Sequence, residues 1–197
     1  MLWDRVIDSK YPLQVIDVTY GPTLNNRGTS MSVVLGPAAG MMRTGSSTRR
    51  GSLAAIMTKL LTRDPLRWVA AHLLNAELGG NGLSPQNLAP LTQTANKRHS
   101  GMELKVKKMC IVARQKQEFN SGAPTFFFGI KYSVRAVGQF GTFDPYSHVP
   151  SHFVVNAAVY KYDTDGTNER ALSPTEQTWF AASVINNEEV HNKDEDL

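Results

Sequence analysis

Across residues 94–117 the chain repeats at helical spacing: Ala95, His99, Met102, Val106, Met109 and Ala113 follow one another at intervals of 4, 3, 4, 3 and 4. Such a run marks the buried stripe of one long α-helix. Gly101 sits inside it and lowers helix propensity by about 1 kcal/mol relative to alanine, a cost that a long buried helix tolerates.

Elsewhere the pattern shortens. Residues 13–20 (LQVIDVTY) and 31–35 (MSVVL) are rich in β-branched side chains and flank the turn-forming GPTLNNRG, which predicts an antiparallel pair. Residues 36–51 are dominated by Gly, Ser, Thr and Arg and read as a mobile loop. Ser52 then offers an N-cap to a short helix, LAAIMTKLL, that stops before Asp64-Pro65. The segment WVAAHLLN, 68–75, is apolar apart from its His and Asn, and residues 79–93, punctuated by Gly-Gly, Asn-Gly and Ser-Pro, read as a long loop. Beyond Asn120, FFFGIKYSVRAV, HFVVNAAVYKY and TWFAASVI read as strands. The order strands, helix, strands implies an α+β fold: a mostly antiparallel sheet with one long central helix.

A chain of 197 residues with 41% hydrophobic and 19% charged residues suits one packed domain, assigned to 1–187. No apolar run approaches the roughly 18 residues of a membrane span, so no membrane partner is expected. The N-terminus also lacks the order of a signal peptide. Cys110 stands alone and excludes an internal disulfide. The formal charge is +4, yet residues 188–197 (EEVHNKDEDL) carry a net −4 and are expected to form an acidic, disordered tail. The body therefore carries +8, the sign needed to neutralise a phosphate backbone.

Two neighbouring segments, AHLLNAELGGNG and QNLAPLTQTANKRHSGMELKVKK, concentrate His, Asn and Glu. At about 100° per residue, Glu103 falls about 20° and His99 about 60° from Asn96 around the helix, so the three share one sector at the edge of the buried stripe. Phosphodiester hydrolysis needs a base for water, a cation against the charge growing on phosphate and donors for the leaving group. His72, with an ordinary pKa near 6.5, suits the base. Asn96 suits a ligand of a hard cation, Mg²⁺ or Mn²⁺, which prefers oxygen donors and keeps waters of its own. Glu103 suits a second place beside that cation, holding a water, and His99 a further catalytic position. Arg43, Arg49, Arg50, Arg67 and Arg98 are candidates to bind substrate.

These segments resemble the core of the DNA/RNA non-specific endonucleases, a ββα-metal or His-Me finger family, and more closely nuclease domains of bacterial polymorphic toxins. The matching residues are His72 in AAHLLN, Asn87 in NLAP, Asn96 in TANKRH and Glu103 in GMEL. Val69, Ala70 and Ala71 stand where the better-known enzymes carry Asp-Arg-Gly before the catalytic His. The resemblance implies a metal-dependent endonuclease acting on DNA and/or RNA. It further implies the toxin domain of a secreted or injected bacterial effector, working in a target-cell cytoplasm and matched by a cognate immunity protein.

Other readings compete at each position. A His among Trp68, Val69, Leu73 and Leu74 is by default a core residue, and His99 on the apolar stripe packs equally well. Asn87 and Asn75 suit bracing of the loop, and His148 and His152 read as structural or exposed. Phe126, Phe127 and Phe128 suit base stacking or, more commonly, a core strand. For the whole chain, the alternatives are an inactive module of the same fold that binds nucleic acid or a protein, and an enzyme that modifies a protein or nucleotide.

Overall fold

The computed structural model describes residues 15–37, 39, 45–49, 51–63, 68–119, 125–163 and 167–192. In chain order these form β1 (Val15–Tyr20), β2 (Thr23–Leu24), β3 (Arg27–Gly28), β4 (Ser30–Leu35), α1 (Ala54–Arg63), β5 (Trp68–His72), β6 (Leu88–Thr92) and α2 (Gln93–Phe119). β7 (Phe126–Val137), β8 (His152–Asp163), α3 (Pro174–Phe180) and β9 (Ile185–His191) complete the order. The fold is α+β. Five strands in the order β1-β4-β7-β8-β9 pair antiparallel throughout, and β2-β3 and β5-β6 are separate hairpins. Among the described residues no helix is long and apolar enough to cross a membrane.

The sheet buries one face, because alternate residues point to it. Met31, Val33 and Leu35 of β4 line up with Val134, Tyr132 and Ile130 of β7, and these with Val155, Ala157 and Val159 of β8. The buried stripe of α2 (Ala95, Val106, Met109, Ala113) enters the same core. On its other flank α2 also meets the β5-β6 hairpin, whose Ala71, Ala89 and Leu91 join that core. The helix opens on a cap, since the Thr92 hydroxyl accepts the Ala95 N–H at 3.1 Å. It runs uninterrupted through Gly101, which faces open space, because the buried stripe on either side holds it.

Several expectations need correction. The 79–93 loop contains β6, fully buried and paired with β5 from Trp68↔Thr92 to His72↔Leu88. Thr178, Trp179 and Phe180 are helical rather than strand: Ser173 and Glu176 form a capping box that starts α3, with Pro174 in its first turn. Ser52 does not cap α1; its hydroxyl accepts the Arg49 N–H and donates to the Gly82 carbonyl. Residues 188–191 of the expected acidic tail belong to β9, where Val190 is buried, while residues 193–197 lie outside the described residues. Phe127 and Phe128 are core, which removes the stacking-surface reading for them.

Candidate active site

The β5-β6 hairpin followed directly by α2 brings His72, at the end of β5, beside the first turns of the helix. The hairpin is braced by Asn87: its Oδ1 accepts the Leu74 N–H at 2.8 Å, and its Nδ2 donates to the carbonyls of Leu74 and Asn81. Gly80 and Gly82 let chain segments meet there, since a Cβ on Gly80 would strike the Leu74 carbonyl and one on Gly82 the backbone of Ser46 and Ser47. Residues 45–46 thereby join the site through the Ser46↔Asn81 bridge.

That bridge fixes the His72 ring. Its Nε2 lies 3.0 Å from the carbonyl oxygen of Ser46. A carbonyl only accepts, so in the neutral ring Nε2 carries the proton and Nδ1 is the basic nitrogen. His72 is only half-buried.

His99 and Glu103 face the same side of α2, one turn apart, and both are buried. Burial first, and charge on nearby His72 second, push the His99 pKa down to about 4. Its Nε2 lies 3.2 Å from the hydroxyl of Tyr132, and its ring meets Phe153 edge-on. His99 is therefore a neutral, packed histidine at physiological pH. Burial pushes the Glu103 carboxyl up to about 7 against the opposing hydrogen bond from Asn75 Nδ2, 3.0 Å from Oε2. The Glu103 Oε1 atom is buried without a hydrogen-bond partner among the described residues. Lys107 pairs with Glu77 just beyond. Asn96, in the first turn of α2, is half-buried, and its amide makes no hydrogen bond to the described residues.

The cations divide differently. Arg43, Arg50 and Arg67 lie outside the described residues, whereas Arg49 and Arg98 are exposed. Sequence reasoning missed three groups. Asn75 read as a brace, yet it caps the 3-10 turn Ala76–Leu78 while also donating to Glu103. Tyr132, in a core strand, supplies the hydroxyl beside His99. Arg27 is a buried guanidinium on β3, next to Gly28, which packs on the Gln86 carbonyl, and its Nε makes no hydrogen bond to the described residues. A basic residue in the turn NNRG was its only signal.

No protein-family model matches the sequence, and no curated protein matches it. Solved structures do. An extracellular endonuclease is 14% identical over 95% of this chain and 81% of its own, with a TM-score of 0.48. NucA from Streptococcus agalactiae with magnesium ion bound is 15% identical over 93% and 74%, with a TM-score of 0.42. Sda1 nuclease with bound zinc ion is 14% identical over 79% and 73%, with a TM-score of 0.43. At such values the assignment of the site rests on its own geometry.

Proposed function

We propose that the chain is a metal-dependent endonuclease that hydrolyses phosphodiester bonds of DNA, RNA or both. The observation that carries this reading is the His72 ring, pinned by the Ser46 carbonyl so that Nδ1 is the proton acceptor, beside a helix bearing Asn96 and a buried carboxyl shifted to about 7.

The side chains fit a hard cation. Among the described residues the Asn96 carbonyl oxygen has no hydrogen-bond donor, and no three His, Cys, Asp or Glu side chains close around a metal by themselves. Mg²⁺ or Mn²⁺ accepts such a sparse set, because it keeps waters and shares substrate oxygens. Bound there, it would neutralise charge developing on phosphate. Asn96 would hold it, Glu103 would orient a neighbouring water through Oε1, and His72 Nδ1 would take the proton of the attacking water. Exposed Arg49 and Arg98 supply charge for the backbone of the substrate.

The likeness of AAHLLN, NLAP and TANKRH to polymorphic-toxin nuclease domains supports a finer reading: a toxin domain of a secreted or injected bacterial effector, with an immunity protein as partner. The primary test is degradation of plasmid DNA and of RNA with Mg²⁺ or Mn²⁺ and with EDTA. Cleavage lost in EDTA and in His72→Ala is expected. Cleavage that persists in both would overturn the proposal.

A further inference from the structure

The outward side of α2 carries a seam of its own. Two residues beyond each position of the buried stripe, Lys97, Gly101, Leu104, Lys108, Ile111 and Gln115 recur at the same intervals of 4, 3, 4, 3 and 4. A step of two residues turns the seam by about 200°, away from the core, and all six positions are exposed. Leu104 and Ile111, a heptad apart, are 52% and 40% exposed.

Nothing in the fold asks for a glycine at 101, since a Cβ there would meet no atom within 4 Å. Glycine weakens the helix at that point, yet it bares the backbone inside the seam, where a second element can approach most closely. The charges are equally one-sided. Lys97 and Lys108 stand in the seam, Arg98 and Lys105 flank it, and none of the four forms an ion pair with the described residues. From Lys97 to Gln115 the single carboxylate of α2 is Glu103, which is buried.

We infer that the outer seam of α2 is a docking surface for an acidic helical segment of a partner protein. Two aliphatic side chains one heptad apart, with a glycine beside them, suit a crossing helix that lays an apolar face between them. Carboxylates on both sides of that face would meet Lys97, Arg98, Lys105 and Lys108. A phosphate backbone would satisfy the cations but offers nothing to cover Leu104 and Ile111. A second copy laid seam to seam would set cation against cation. From Lys97 to Gln115 the seam runs about 27 Å at 1.5 Å per residue, room for an occupant of about five turns. It begins beside Asn96, yet no residue of the seam itself has a role in the proposed reaction, so the inference stands apart from the nuclease reading.

Fluorescence anisotropy on the intact chain in EDTA tests this with two labelled probes. One is a synthetic amphipathic helical peptide with Leu and Ala along one face and Glu on both sides of it; the other is a short DNA duplex. The peptide should bind wild type, more weakly as salt rises, and at least ~10-fold more weakly in Gly101→Leu, Leu104→Asp and Lys108→Glu. Gly101→Leu is the decisive variant. Leucine is the better helix former and meets open space there, so its melting temperature should rise while peptide binding falls. Duplex affinity should be unchanged in Gly101→Leu and Leu104→Asp. Failure of the peptide to bind, or equal affinity in those two variants, overturns the assignment. An equal loss for the duplex would give the seam to nucleic acid, and a wild-type oligomer that Leu104→Asp dissociates in sedimentation would give it to a second copy; either overturns it too.

Discussion

Asn75 Nδ2 donates to Glu103 Oε2 at 3.0 Å and so ties the turn after β5 to the second turn beyond Asn96 on α2. The same side chain accepts the Glu77 N–H at 2.8 Å through Oδ1, which fixes the amide's orientation. One asparagine thus sets the place of a buried carboxyl whose other oxygen has no partner among the described residues.

Asn75→Ala should remove the side-chain donor to Glu103 Oε2 and leave the carboxyl only the backbone N–H of residue 75. Stranding a buried polar group costs about 1–3 kcal/mol, and the lost hydrogen bond raises the Glu103 pKa further. Denaturant unfolding should show that loss at neutral pH and a smaller one near pH 4, where the carboxyl is protonated in any case. An equal loss at both would contradict the role given to the hydrogen bond.

The buried pair His99 and Glu103 should shape stability against pH in opposite senses. His99 falls from 6.5 to about 4 on folding, so the unfolded chain binds more protons between those values and stability rises with pH there. Glu103 rises from 4.5 to about 7, so its contribution is complete below 4.5 and is lost as pH climbs through 7. Over about pH 4.5–6.5 the two slopes oppose. Glu103→Gln should expose the rising arm of His99, read as urea midpoints from pH 4 to 8; a curve parallel to wild type would refute it.

How far the sequence foretold these relationships depended on range. α2 was legible because its stripe repeats locally from Ala95 to Ala113, and β7 and β8 because their apolar runs are long. β6 escaped because Pro90 and the flanking Gly-Gly and Ser-Pro read as loop, although its pairing to β5 decides its conformation. Phe180 was drawn into a strand by its aromatic neighbours, although Ser173 and Glu176 held the helix signal. His99 and Glu103 were placed on one side by helical geometry. Their partners Tyr132 and Asn75, 33 and 28 residues away, are set by tertiary packing that no spacing encodes.

His72→Ala and Asn96→Ala should separate in cleavage assays. Loss of a general base typically costs about 10²- to 10⁴-fold, and raising Mg²⁺ or Mn²⁺ does not restore it. Loss of a ligand weakens metal binding, so Asn96→Ala should recover part of its rate at higher metal. Circular dichroism should show both variants folded, because both side chains are half-buried. Unfolding of His72→Ala, or undiminished cleavage by it, would reassign His72 to the core.

Nucleic-acid binding should weaken steeply with salt, since each phosphate contact releases counterions. Arg98→Glu, on an exposed position, should flatten the slope of log affinity against log salt while leaving the melting temperature in place. A slope near zero in wild type would point to a protein or small-molecule ligand.

Asn192 closes the molecule on itself. Its Oδ1 accepts the Thr92 N–H at 2.9 Å, across 100 residues, and its Nδ2 donates to the Pro150 carbonyl. Thr92 is also the cap of α2. During synthesis the first turn of the helix that carries Asn96 therefore gains this clamp only once residue 192 has been made. If the chain is the nuclease proposed above, that order of events delays competence in a cell full of substrate until translation of the fold is complete.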